Sequence, residues 1–226
     1  MSEQSGLTET QDPDGAAVAD VVVVDYGLGN LRSVTRGLER AGATVTITAD
    51  TDRIRDADGV VLPGVGAFGE GMENAGPFRE TLRDVAASDT PLFGICLGMQ
   101  MLLTTSEEAE KEGQGDVTGL DLIPGTNERF TGDLTVPHMG WNELDVQRDH
   151  PLVAGVDGEH AYFVHSYYAT PDDDHAVVAT TDYGRDFASV VANEDGTVFG
   201  TQFHPEKSGE TGLRILRNFV DLCADD

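Results

Sequence analysis

A chain of 226 residues, 39% hydrophobic with 27 glycines and 9 prolines, has the size and make-up of a globular domain. Its 41 acidic residues against 14 basic ones give a net charge of −27, which repels nucleic-acid phosphates and anionic lipid and argues against both as partners. No apolar run reaches the length of a membrane span and no basic start leads into an apolar stretch, so the chain is expected to be soluble and cytoplasmic.

Residues 1–19 carry four acids, no base and no periodicity, and are expected to form a disordered acidic leader before one domain over residues 20–226. Asp20–Tyr26 is a valine run bounded by Gly27, which suits a strand buried on both faces. Leu31, Val34 and Leu38 follow at helical spacing, with Gly42 as the stop. Ala43–Thr48 reads as a second strand and Gly59–Leu62 as a third, ending at Pro63-Gly64. Residues 70–87 read as a helix, Pro91–Ile95 as a fourth strand and Cys96–Glu110 as another helix. Strands alternating with helices predict βαβ units and a parallel sheet. After residue 113 short β-rich stretches dominate: Val117–Ile123, His160–Tyr168, Ala176–Thr181, Ala188–Ala192 and Val198–Phe203. A last helix spans Gly212–Leu222. The expected fold is one α/β sandwich with a central mixed, mostly parallel sheet and an antiparallel C-terminal extension.

The acids are spread along the whole chain, with Asp172-Asp173-Asp174 the longest run, and only Lys111 and Lys207 are lysines. A solvated surface this acidic suits a salt-loving source. Cys96 and Cys223 are too few and too far apart for a disulfide framework. With no C-x-x-C, no H-E-x-x-H and six histidines at no ligand spacing, neither a metal nor a cofactor is expected.

The sharpest chemical signal is Gly94-Ile95-Cys96-Leu97-Gly98-Met99-Gln100, an apolar strand running through Gly-x-Cys-x-Gly into a helix. This is a nucleophile elbow with cysteine in place of serine. The tight turn presents the sulfur, the helix N-terminus favours its thiolate, and the Leu97 N–H lies where an oxyanion would form. The plainer reading makes Cys96 a small buried hydrophobe. Phe203-His204-Pro205-Glu206 ends a predicted strand, where residues two apart share a side and Pro205 keeps His204 extended. Glu206 can then hold one imidazole nitrogen and leave the other for a thiol. By itself the segment reads equally well as a surface turn.

Pro63–Gly69 contains Gly-x-Gly-x-x-Gly. A dinucleotide-binding reading fails, because that fingerprint follows the first strand, whose own loop has Arg32 where the third glycine belongs. The loop better serves as backbone N–H donors beside the cysteine.

Together Cys96 in Gly-Ile-Cys-Leu-Gly-Met-Gln and His204-Pro-Glu206 resemble the class I (triad) glutamine amidotransferases. Further blocks resemble, more narrowly, the glutaminase subunits of imidazole glycerol phosphate synthase. They are Asp25–Val34, Pro63–Gly69, Pro137–Asn142, Tyr162–Tyr167 and Phe203–Ser208, in the family's order over roughly residues 20–222. The resemblance implies a flavodoxin-like sandwich that hydrolyses L-glutamine, with Cys96 as nucleophile and His204, oriented by Glu206, moving the proton. It implies oxyanion donors at Gly64, Val65, Gly66 and Leu97, and glutamine contacts from Gln100, Glu108, Ser166 and Tyr167, with neighbouring Glu107 an alternative to Glu108. It further implies ammonia transfer to a (β/α)8-barrel cyclase subunit in a heterodimer of histidine biosynthesis, with Asn30, Trp141, Tyr162 and Lys207 at the contact. Trp141 as a core aromatic is the ordinary alternative. Other functions left open are the glutaminase subunit of an anthranilate, GMP or pyridoxal phosphate synthase, and a flavodoxin-like thiol sensor with no catalysis. Pro137–Asn142 speaks against the first and His204 with Glu206 against the second.

Overall fold

The valine run folds as β1 (Asp20–Val24), with every residue from Val21 onward buried. β2 (Thr44–Thr48) and β3 (Gly59–Gly64) flank it as parallel neighbours. This computed structural model describes residues 18–111 and 117–224. Apart from Val18 and Ala19, the expected acidic leader lies outside the described residues. Val21 and Val23 pack into one apolar cluster and Val22 and Val24 into another, so the run feeds the layers on both sides of the sheet.

Between these strands, α1 (Leu31–Ala41) buries Val34 and Leu38 and stops at Gly42, whose φ of 111° is the left-handed conformation of a helix end. A short helix absent from the sequence reading, α2 (Thr51–Arg55), starts where the Asp50 carboxylate accepts the N–H groups of Asp52 and Arg53. The helix expected over 70–87 is two: α3 (Phe68–Asn74) and α4 (Arg79–Ala86), parted by a 3₁₀ turn at Gly76–Phe78. Pro77 has no N–H to continue the first of them.

β4 (Leu92–Cys96) pairs parallel with β3 and runs directly into α5 (Leu97–Leu102). The helix expected to reach Glu110 ends at Leu103, which is extended. The Asn127 amide takes the carbonyls of Gln100 and Thr105 there, and β5 (Thr105–Ser106) intervenes before α6 (Glu107–Lys111). The stretch Val117–Ile123 is not a strand. Its backbone instead closes the end of α5, with Leu120 donating to Met101 O and Leu122 and Ile123 to Leu102 O. Arg79 and Arg83 clamp its carbonyls at Thr118, Gly119 and Leu120.

The second half supplies β6 (Gly125–Arg129), β7 (His138–Glu143), β8 (Asp145–Val146), β9 (His160–His165), β10 (Tyr167–Pro171), β11 (Val177–Asp182), β12 (Asp186–Ala192) and β13 (Val198–Thr201). β13 returns parallel beside β4, and β12, β10 and β6 extend the sheet antiparallel from it. The main sheet runs β2-β1-β3-β4-β13-β12-β10-β6-β5, with β11 and β8 off this path. The expected His160–Tyr168 strand is cut at Ser166. β10 stays in the main sheet, whereas β9 leaves it and pairs with β7 in a separate two-stranded sheet. α7 (Gly209–Ala224) closes the chain, with Leu216 and Phe219 in the same cluster as Leu38. The mostly parallel α/β core with an antiparallel extension is the architecture expected from the sequence. Among the described residues no helix is long and apolar enough to cross a membrane.

Candidate active site

Cys96 occupies the junction between β4 and α5 at φ 53°, ψ −107°, a strained conformation for a residue with a side chain. The flanking glycines make the turn possible by close approach. A Cβ on Gly98 would lie 1.8 Å from the Leu62 carbonyl oxygen, and one on Gly94 would meet Met99 N at 2.7 Å. Cys96 and Cys223 are both buried, and neither is in a disulfide.

His204 leaves β13 extended, and Pro205–Lys207 then form a 3₁₀ turn rather than continuing the strand. That turn brings the Glu206 carboxylate to 3.0 Å from His204 Nδ1, with both side chains almost fully buried. Ser208, which the sequence reading assigned no role, stitches the turn in place. Its hydroxyl donates to His204 O at 2.7 Å and accepts Tyr162 N–H at 2.9 Å. Burial works against a charge on His204, but the hydrogen bonds it donates to Cys96 and Glu206 outweigh this and raise the imidazole to about 9. His204 is therefore protonated at neutral pH. His165, at the end of β9 and lining the same cavity, is lowered to about 3 by burial despite its bond to the Tyr167 carbonyl, and burial lowers His138 as well. Those two histidines stand 3.0 Å apart as neutral partners within the core.

A cavity of about 290 Å³ opens over the sulfur. It is lined by Val65, Gly66, Cys96, Leu97, Gln100, Glu108, Pro137, Val164, His165, Ser166, Tyr167, His204 and Lys207. Cys96 and His204 thus share one space with all four residues expected to hold glutamine. Glu206 sits behind His204, outside the lining. Gly64 is buried in β3 opposite Cys96 in the ladder and does not line the cavity, whereas Val65 and Gly66 do. Tyr26 donates to Pro63 O at 2.6 Å beneath this loop. A larger cavity of about 610 Å³, around Pro124, Arg148 and His175, includes no cysteine, so size alone does not pick the site.

The two acids at the start of α6 separate cleanly. Glu108 lines the cavity and accepts Phe68 N–H at 2.7 Å, while Glu107 turns to Arg129 N–H at 3.0 Å. Gln100 uses both amide hydrogens within the protein, toward Tyr167 O at 3.0 Å and Gln202 Oε1 at 3.1 Å. What it offers a ligand is its oxygen, an acceptor suited to an ammonium or an amide N–H. Gln202, also unassigned from the sequence, donates to Cys96 Sγ at 3.7 Å.

Of the residues expected at a partner contact, Trp141 is 53% exposed and is no core aromatic. It sits opposite Tyr162 across β7 and β9, with ring centroids 5.9 Å apart. Met139 on the same strand is 63% exposed. Lys207 is exposed and reaches the cavity wall. Asn30 is half-buried at the start of α1, where its carbonyl accepts from Ser33 and Val34.

With this geometry in view, the chain matches the model for glutamine amidotransferase class-I over residues 22–223. It is 72% identical to the imidazole glycerol phosphate synthase subunit HisH of Haloarcula marismortui over 224 residues, 92% of this chain and 97% of that one. It is 74% identical to the subunit of the same name from Halobacterium salinarum, across 93% and 97% of the two chains. Among solved structures, PurLQS from Thermotoga maritima superposes with a TM-score of 0.69. The two are 20% identical, with 90% of this chain and 98% of that one covered, and the likeness is one of fold.

Proposed function

Because the chain belongs to the class-I glutamine amidotransferases, we propose that it is the glutaminase subunit of imidazole glycerol phosphate synthase in histidine biosynthesis. One observation carries the chemistry: a cysteine on a strained strand-to-helix turn shares a cavity with a histidine whose far nitrogen is held by a buried carboxylate. A thiol sensor has no use for that carboxylate.

In this reading the Cys96 sulfur attacks the side-chain carbonyl carbon of glutamine. The oxygen takes up the negative charge against the N–H of Leu97 and the Val65-Gly66 loop. His204, already carrying a proton, gives it to the leaving nitrogen, and ammonia departs as the C–N bond breaks. The remaining thioester is opened by water, whose proton returns to His204 as glutamate leaves and the thiolate is restored. Glu206 keeps the imidazole oriented throughout. Gln100 and Glu108 take the amino end of the substrate, and Ser166 and Tyr167 its carboxylate side.

The ammonia passes to a (β/α)8-barrel cyclase subunit docked over the cavity mouth, where Asn30, Trp141, Tyr162 and Lys207 contact it. The exposure of Trp141 and Met139 on β7, the strand that follows Pro137 of the cavity wall, supports that face. The same reading has the reaction in the cytoplasm, within one domain over residues 20–226. The acidic, lysine-poor surface fits the haloarchaeal relatives.

The test is glutamate release by the purified chain, alone and with the cyclase subunit. Activity that rises on adding the cyclase and is lost in Cys96→Ala supports the assignment. Cys96→Ala and His204→Ala are expected to cost on the order of 10⁴-fold or more, and Glu206→Ala less. A glutaminase rate retained by Cys96→Ala overturns it.

A further inference from the structure

Gln202 is wholly buried between the nucleophile and the wall of the cavity, two residues before His204. The orientation of its amide follows from its neighbours. Tyr167 presents a backbone carbonyl, which only accepts, so the group facing it at 3.0 Å is the NH₂ of Gln100. That NH₂ also stands 3.1 Å from the Gln202 side chain, and the atom it meets is therefore the acceptor Oε1. The other end of the Gln202 amide is then its NH₂, aimed at Cys96 Sγ from 3.7 Å. Turning Gln202 over would oppose two NH₂ groups in a buried site and set an oxygen lone pair against the sulfur. The backbone resists a shift of the whole residue, since Gln202 N–H donates to Ser189 O at 2.9 Å.

We infer that Gln202 is a positioning residue for the nucleophile, supplying the sulfur with a second hydrogen-bond donor besides His204. A donor that stays fixed while the imidazole gives and takes its proton steadies the negative sulfur before attack and again as the thioester opens. It also ties the nucleophile to Gln100, so the rotamer of Cys96 and one wall of the glutamine cavity are set by the same amide. The inference deepens the glutaminase reading and rests on Cys96 being its nucleophile.

Two variants test it. Gln202→Met keeps the length of the side chain and removes the donor. Gln202→Glu keeps an acceptor for Gln100 and puts an oxygen where the donor was. Alkylation of Cys96 by iodoacetamide, followed at that residue by mass spectrometry from about pH 6 to 10, reads the sulfur without any glutamine present. Expected is alkylation about tenfold slower at neutral pH in Gln202→Met and slower still in Gln202→Glu, with the gap to wild type closing as pH rises. In the complex with the cyclase, glutaminase kcat should fall in parallel while KM moves less than about twofold. An unchanged alkylation profile in the folded variants overturns the inference. So does a loss uniform across pH and accompanied by a higher KM, which marks a displaced cavity wall. If Gln202→Met does not fold, Gln202→Glu decides alone. A wild-type chain lacking glutaminase activity would count against the function and leave the alkylation result standing.

Discussion

The Glu108 carboxylate accepts the backbone N–H of Phe68 at 2.7 Å, joining the start of α6 to the start of α3, directly after the glycine-rich loop. One side chain thus lines the cavity and holds the end of the segment that carries Val65 and Gly66. A hydrogen bond to a charged group is worth about 1.5–3 kcal/mol. Glu108→Ala is therefore expected to raise KM for glutamine and to lower stability by about that amount. Glu107→Ala, which loses the bond to Arg129 N–H outside the cavity, should leave KM unchanged. Glutaminase kinetics and denaturant unfolding of the two variants check this, and equal effects on KM would contradict it.

The imidazole of His204 also makes stability depend on pH. Its value in the folded chain, about 9, lies above the ordinary 6.5, so the folded form keeps a proton that the unfolded form releases. The stabilisation is complete below about pH 6.5, declines as pH rises, and is gone above about 9. Its size is on the order of 3 kcal/mol. Unfolding at pH 6, 8 and 10 in constant salt should show this decline in wild type and a flatter profile in His204→Gln. Parallel profiles would refute the assignment.

Gly98 admits no side chain. Its Cβ would overlap the Leu62 carbonyl oxygen, and strand and helix meet there through backbone that cannot rotate away. Gly98→Ala should destabilise by more than about 3 kcal/mol and depress glutaminase activity by shifting the turn that holds Cys96. By contrast, a Cβ on Gly76, which has an ordinary negative φ, meets nothing within 4 Å, and Gly76→Ala should leave the melting temperature within a few degrees. Thermal unfolding of both variants decides.

Trp141 and Lys207 should divide the work at the partner face. In molar salt the Debye length is only about 3 Å, so long-range attraction between subunits contributes little and packing must hold the complex. Trp141→Ala is expected to weaken cyclase binding at high salt more than Lys207→Ala does. Lys207, which reaches the cavity wall, should chiefly alter stimulation of the glutaminase. Affinity and stimulation are to be measured together in molar salt. A dominant loss of affinity in Lys207→Ala with Trp141→Ala neutral would defeat the packing argument.

The elements readable from sequence are those whose causes are local. The valine run, the glycine stop after α1 and the turn at Cys96 follow from side-chain periodicity and backbone sterics within a few residues. His204 and Glu206 were also legible as neighbours, because two positions along one segment cannot separate far, even though a 3₁₀ turn replaced the expected extended geometry. The tertiary structure decided the rest. Val117–Ile123 has the composition of a strand, but its N–H groups close the end of α5 instead of joining a sheet. The choice between Glu107 and Glu108 turned on which backbone N–H each met, at Arg129 or at Phe68, and nothing in four adjacent acidic and small residues encodes that. Gln202 stood in plain view beside the histidine, yet its contacts with Gln100 and Cys96 span a hundred residues. Exposure of Trp141 likewise depended on β9 leaving the main sheet to pair with β7. Backbone preference acts over neighbouring residues and so is written in their order; hydrogen-bond partners and burial are settled only when distant segments compete for the same space.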